Sequence, residues 1–266
     1  MDNKFFHKKF LGQHFIKDAK LHQKIASRGM EIANYNIVEI GPGDGGLSKA
    51  ILEQNPKKLI LIEKDKDLIP HLQKIFQEQS NENHKVEIMN CDGTQIDIRK
   101  ITEQPVKIIA NLPYNVATNM ILNWLEYANF FESITVLIQK EVADRFLAKV
   151  GDSGYGRTAI LTNLVSDVKK EFNVPPKAFN PPPKVDSTLI TFRPFKNNKY
   201  DISWKELSSL TKIAFAQPRK TITNNLKGQY APITQILEEL QINPNSRPEN
   251  LYLSDFYNIF TKLKQL

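Results

Sequence analysis

Cysteine is almost missing from this chain: Cys91 stands alone. That excludes an intrachain disulfide and offers no cysteine-based zinc site. No apolar run approaches the roughly eighteen residues of a membrane span, and the first ten residues lack the apolar core of a signal peptide. A cytoplasmic protein without membrane contact is therefore expected. Internal repeats and low-complexity tracts are also missing, which sets aside solenoids and disordered linkers. No coiled-coil pattern or apolar edge demands more than a monomer.

What is present suits a globular enzyme. The 266 residues are 41% hydrophobic and 24% charged, enough for one large α/β domain plus a smaller one. The 36 basic against 29 acidic residues give a net charge of +7, a balance that favours a polyanionic partner. The 15 prolines, several of them clustered, point to shaped loops.

The chain is organised around Ala110-Asn111-Leu112-Pro113-Tyr114, at the end of the run Val106 to Ala110. A buried strand that ends in an amide, a proline and an aromatic ring suits attack by the exocyclic amine of a nucleobase. Such an amine is a poor nucleophile because its lone pair is delocalised into the ring. An Asn side-chain oxygen and a neighbouring carbonyl can each accept one of its hydrogens and free that lone pair. Pro113 fixes its own φ and biases Leu112 toward extended backbone, and Tyr114 offers a face for stacking. Alone, these residues fit better a loop capped by Asn with a Tyr packed on the core, and the rest of the chain has to shift that reading.

Upstream, residues 4–16 interleave aromatics with bases, a composition suited to covering a cofactor or following a phosphate backbone. Asp18 reads as the N-cap of a helix that ends near Gly29. The strand Ile37-Val38-Glu39-Ile40 then runs into Gly41-Pro42-Gly43-Asp44-Gly45-Gly46, and a second strand ends at Glu63. Strand, glycine turn, helix and a downstream acid make a nucleotide-type site, with Glu63 placed for ribose hydroxyls. The pattern does not separate a nicotinamide cofactor from S-adenosylmethionine. After a helix predicted over 67–79, a third strand ends at Cys91-Asp92-Gly93, where Asp92 can accept from an adenine amino group or serve as a turn residue. Gly41, Glu63, Asp92 and Asn111 thus fall at four successive strand ends, and open parallel sheets bind ligands along that edge.

Alternation continues through a helix from Met120, a strand Ile134 to Ile138, and a helix over 139–149 whose outward Lys140, Arg145 and Lys149 read as a solvated face or as RNA ligands. A strand Lys169 to Val174 precedes Pro175 to Val185, which holds Phe179 between prolines. An exposed Phe179 there can stack on a target base; the alternative is a ring buried against its own loop. Ser187 to Phe192 reads as the last strand, in a hairpin with the strand before the proline loop. Beyond the linker 195–199 no strand-like run remains. Helices are expected over 204–216, 220–227, 233–240 and 254–263, with Arg219, Lys220, Lys227 and Arg247 lending basic character. The expected division is a domain at 1–195 and a helical domain at 196–266.

Taken together, these residues resemble the small-subunit ribosomal RNA adenine dimethyltransferases (the KsgA family). The motifs are Leu11-Gly12-Gln13-His14-Phe15, Glu39-Ile40-Gly41-Pro42-Gly43, Glu63, Asn111-Leu112-Pro113-Tyr114, Gln139-Lys140-Glu141-Val142-Ala143, Phe179-x-Pro181-x-Pro183-x-Val185-x-Ser187 and Phe215 to Thr221. The resemblance spans essentially the whole chain. It implies a Rossmann-like S-adenosylmethionine-dependent methyltransferase sheet of α/β class with a small all-helical C-terminal domain that binds rRNA. By the same likeness, His14, Ile16, Gly41, Glu63, Asp92 and Asn111 would hold S-adenosylmethionine. Asn111, Leu112, Pro113 and Tyr114 would position the target amine, with Phe179 stacked on the adenine and no metal required. The family adds two methyl groups to each of two adjacent adenosines in a hairpin loop near the 3′ end of small-subunit rRNA, within an assembling 30S-type subunit. Two departures stand out: Ile16 replaces the family's usual Leu, and Cys91-Asp92-Gly93 its Gly-Asp-Ala. Alternatives are a large-subunit rRNA adenine methyltransferase of the macrolide-resistance type, a non-catalytic RNA-binding assembly factor, and, remotely, a nicotinamide-dependent oxidoreductase.

Overall fold

The structure is a computed structural model and describes residues 14–29, 31–77 and 85–265. The aromatic and basic segment expected to cover a cofactor falls outside the described residues up to His14. The chain divides into two compact units, Met1–Ala143 with Lys169–Pro194, and Asp144–Val168 with Phe195–Leu266. The second unit therefore gathers 144–168 in addition to the C-terminal helices.

The first unit contains most of a seven-stranded sheet. Its strands are β2 (Asn36–Ile40), β3 (Lys58–Glu63), β4 (Lys85–Asn90), β5 (Val106–Asn111), β6 (Phe131–Gln139), β7 (Ser166–Val174) and β9 (Ser187–Pro194), in the order β4-β3-β2-β5-β6-β9-β7. β2, β3, β4, β5 and β6 pair in parallel, while β9 joins β6 antiparallel. A parallel sheet is covered on both faces, so its strands read as unbroken apolar runs. Ile37, Val38, Leu59, Ile60, Ile108, Ile109 and Ile134 are all fully buried. The strand order reverses between β2 and β5, and that switch point opens a crevice at the strands' carboxyl ends.

Helices follow where the pattern placed them. α1 (Ala19–Arg28) is capped by Asp18, whose carboxylate accepts from Lys20 N at 2.9 Å. α2 (Gly46–Leu52) follows the glycine turn, α3 (Ile69–Gln77) follows β3, α4 (Ala117–Leu125) follows the Asn-Leu-Pro-Tyr loop and buries Trp124, and α5 (Lys140–Leu147) follows β6. Lys107, inside an otherwise apolar strand, is buried as well. Its ammonium donates to Glu31 O at 2.6 Å and Gly29 O at 3.2 Å, and lies 3.9 Å from the centre of the Tyr35 ring. The cation thereby satisfies carbonyls at the C-terminal end of α1.

One small pairing was not legible from pattern. β1 (Phe15–Ile16) pairs antiparallel with β8 (Phe179–Asn180), setting Ile16 opposite Phe179. In the second unit, α6 (Arg157–Val165), α7 (Trp204–Ala214), α8 (Ile222–Leu226), α9 (Ile233–Glu239) and α10 (Leu253–Leu263) enclose Leu207, Leu226, Leu237, Phe256 and Ile259. Ser203 and Glu206 form a capping box at the start of α7. The Tyr155 hydroxyl donates to Leu251 O at 2.9 Å, which ties 144–168 to the C-terminal helices of this unit. Among the described residues no helix is long and apolar enough to cross a membrane, and no cluster of His, Cys, Asp and Glu could hold a metal.

Candidate active site

The crevice is built by what each strand leaves at its end. β2 delivers the glycine turn, in which Gly41, Gly43 and Gly45 have φ of 69°, 59° and 80°, backbone that side chains disfavour. The left-handed glycines thus recur every second residue. Gly46, the last of the dinucleotide-like spacing, serves packing instead: a Cβ there would stand 2.3 Å from the His22 ring. At Gly43 a Cβ would meet the Phe15 ring at 2.5 Å, so backbone and ring close together over the turn.

β3 ends at Glu63, which is 5% exposed. Its Oε2 accepts from Gly43 N at 3.1 Å and its Oε1 from Asp65 N at 2.8 Å. The acid therefore braces the glycine turn and keeps one further lone pair on each oxygen for a ligand. Burial pushes its pKa up, against the backbone donors that hold it down. Asp92, just past β4, accepts on Oδ1 from Thr94 N (2.9 Å) and Thr94 Oγ1 (2.7 Å), and on Oδ2 from Lys64 Nζ (2.8 Å). The Lys64 bond and those from Thr94 hold this carboxyl down to about 2. At Gly93 a Cβ would lie 2.6 Å from Ile40 Cγ2.

β5 ends at Asn111. Its Nδ2 donates to His14 O at 3.1 Å, and since only the amide nitrogen can donate to a carbonyl, Oδ1 is left as an acceptor. The Pro113 carbonyl is committed to Val116 N and Ala117 N, each at 3.2 Å, so it starts α4. The Tyr114 hydroxyl shares a 2.6 Å hydrogen bond with Ser187 Oγ, and its ring stacks on His14 with centroids 5.5 Å apart. The His14 Nδ1 lies 2.8 Å from Pro181 O, which assigns the proton to Nδ1 because a carbonyl only accepts.

A single pocket is lined by His14, Gly41, Glu63, Asp92, Asn111, Leu112, Pro113 and Tyr114. Two expected site residues lie elsewhere. Ile16 is 5% exposed and belongs to the core; its neighbours His14 and Phe15 line the pocket instead. Phe179, expected on an exposed loop, has no exposure and packs in the same core. Pairing of β8 with β1 turns the ring inward, where burial of a Phe is favourable by about 1.5–3 kcal/mol. Tyr114, by contrast, lines the pocket. Sequence reasoning did not single out Lys64, whose ammonium reaches Asp92, nor Phe15 as a pocket residue, whose closeness to Gly43 only the fold reveals.

Behind the glycine turn sits Glu39 on β2, 1% exposed. Neither its Oε2 nor the nearby Ser48 Oγ finds a hydrogen-bond partner, although Ser48 still eases the carboxyl's charge. Burial, with smaller contributions from Asp44 and Glu63, raises its pKa to about 8.

A parallel sheet with an antiparallel strand beyond it, and a switch-point pocket lined by a glycine turn, two acids and the Asn111 amide, has the form of a Rossmann-like methyltransferase. Residues 4–265 match the family model described as ribosomal RNA adenine dimethylase. The chain belongs to that family. It is 42% identical over 252 residues to the ribosomal RNA small subunit methyltransferase A of Ehrlichia ruminantium, covering 95% of each chain. Against the protein of the same name from Wolbachia pipientis wMel it is 40% identical over 249 residues, 94% of this chain and 86% of that one. Among solved structures, a dimethyladenosine transferase from Plasmodium falciparum superposes with a TM-score of 0.81 at 26% identity, over 95% of this chain and 98% of that one. The 23S rRNA methyltransferase ErmE shares the fold with a TM-score of 0.72 at 21% identity.

Proposed function

We propose that this chain dimethylates the exocyclic amines of two adjacent adenosines in the 3′-terminal hairpin loop of small-subunit rRNA, with S-adenosylmethionine as methyl donor. It acts as a monomer in the cytoplasm on an assembling 30S-type subunit, with residues 1–195 as the methyltransferase domain and 196–266 as an rRNA-binding domain. The observation that carries the reading is Asn111, whose amide is fixed by the His14 carbonyl in the same pocket as Glu63 and Asp92. A nicotinamide enzyme has no use for such an acceptor.

The pocket fits the methyl donor by the chemistry of its groups. Glu63 has lone pairs for a ribose diol, Asp92 is an acceptor for an adenine amine, and the space beside Gly43 admits only backbone. When bound, S-adenosylmethionine supplies a methyl group made electrophilic by its sulfonium. Asn111 Oδ1 and the Leu112 carbonyl receive the two hydrogens of the target amine, localising its lone pair. Tyr114, held by Ser187 and His14, provides the stacking face. No strong base is needed, because the methylated amine is an acidic cation that loses its proton to water.

Labelled S-adenosylmethionine offered to undermodified small subunits, with large subunits in parallel, tests this. Label on paired adenosines near the 3′ end is the expected result. Label confined to large-subunit rRNA would move the chain to the resistance-type activity, and tight cofactor binding without label would favour an assembly factor. A second prediction concerns the turn. Gly43→Ala forces a side chain onto φ of 59° and into the Phe15 ring, a backbone cost of about 1–2 kcal/mol before the clash. Calorimetry should show S-adenosylmethionine affinity at least about tenfold weaker, since each 1.4 kcal/mol is tenfold; unchanged affinity would contradict the role given to this turn.

A further inference from the structure

Lys64 follows the ribose-binding acid directly and lines the same pocket. Its backbone is pinned from β4, where Asn90 Nδ2 donates to Glu63 O at 2.9 Å and to Lys64 O at 3.4 Å. From that anchored position the side chain reaches Asp92, with Nζ 2.8 Å from Oδ2. The other carboxylate oxygen is already committed, because Oδ1 takes both the backbone N–H and the hydroxyl of Thr94. An amino group arriving at Asp92 is therefore received on the remaining lone pair of Oδ2, the oxygen whose charge the ammonium already draws on.

The geometry points to Lys64 as a specificity-determining residue that competes with the adenine amino group for Asp92 Oδ2, and so tempers affinity for every adenosine ligand of this pocket. The inference rests on the S-adenosylmethionine reading given above. The competition is gentle: the Lys64 side chain is 59% exposed against 23% for Asp92, and an ion pair so open to solvent changes an equilibrium by about twofold to fivefold. The product of each transfer carries the same adenine. Weakening its hold favours release, which matters for an enzyme that must exchange cofactor repeatedly on one substrate. Lys64 also places a donor beside the acceptor, which narrows the pocket's preference for a 6-amino over a 6-oxo purine.

The test compares the full-length protein with Lys64→Met and Lys64→Arg by calorimetry, using S-adenosylhomocysteine and S-inosylhomocysteine as probes. Met keeps the apolar stem and removes the charge, whereas Arg can pair with the carboxylate through two parallel bonds. Lys64→Met should bind S-adenosylhomocysteine about twofold to fivefold more tightly and leave the inosyl probe unchanged or weaker. Lys64→Arg should bind S-adenosylhomocysteine less tightly than the parent. Equal tightening of both probes by Lys64→Met would reduce the effect to general electrostatics and overturn the inference, as would unchanged or weaker S-adenosylhomocysteine binding. Failure of all three proteins to bind either S-adenosylhomocysteine or S-adenosylmethionine would instead overturn the cofactor reading beneath it.

Discussion

Asn111→Ala is expected to lower methyl transfer by about 10²–10³-fold, the usual effect of deleting one preorganised hydrogen-bonding group from a transition state. The loss should fall on kcat. The Asn111 Oδ1 matters most as the amine's nitrogen becomes tetrahedral and its hydrogens more acidic, so the contact strengthens on the way to the transition state. The same side chain donates to His14 O at 3.1 Å, and the Ala variant also cuts that tether. Two further readings separate the contributions. Asn111→Asp retains an acceptor but puts an oxygen against the His14 carbonyl, so a loss there that matches the Ala variant assigns the effect to the tether. RNA affinity, measured on small subunits, should stay within about threefold of the parent, because no phosphate contact is removed. Near-native turnover by Asn111→Ala would end the proposed role.

The sheet and its pocket were legible because four strands end in four different chemical groups. Gly41, Glu63, Asp92 and Asn111 each close a largely apolar strand-like run, and a parallel sheet brings such ends to one edge. Long-range details were not legible. Phe179 sits among prolines, which suggested exposure, but its ring follows a two-residue pairing with Phe15 and Ile16 far away in the chain. No periodicity announces so short a strand. Lys107 is a charge inside an otherwise apolar strand, and carbonyls near the end of α1 accept its ammonium. Residues 144–168 lie within the span 1–195 expected as one domain, and by their contacts they group with the C-terminal helices. In each case contact partners distant in sequence decide the outcome, and local pattern has no access to them.

Glu39→Gln should stabilise the protein at pH 8 and flatten the dependence of its stability on pH. The parent Glu39 carboxyl is fully buried with a pKa raised to about 8, whereas in an unfolded chain a Glu titrates near 4.3. Below the unfolded value both states are protonated and the group has no effect. Between the two values only the unfolded state has released its proton, so each pH unit favours unfolding by about 1.4 kcal/mol. Stability is thus lost as pH rises through this window, and the loss levels off once the native carboxyl ionises. The total linkage is on the order of 3–5 kcal/mol, opposite in sign to that of carboxylates such as Asp92, whose depressed pKa favours the folded state above the acid range. Ionisation is costly here because the carboxyl is buried away from water, its Oε2 has no hydrogen-bond partner, and Asp44 and Glu63 add negative charge nearby. Gln cannot ionise, so the difference between parent and variant isolates this one group from every other titration. Thermal unfolding of both proteins from pH 5.5 to 8.5 should give melting temperatures that diverge steadily, with the variant higher at the alkaline end. Parallel curves would show that Glu39 is ionised in the folded protein throughout, and that the space between β2 and α2 is more polar than its burial implies.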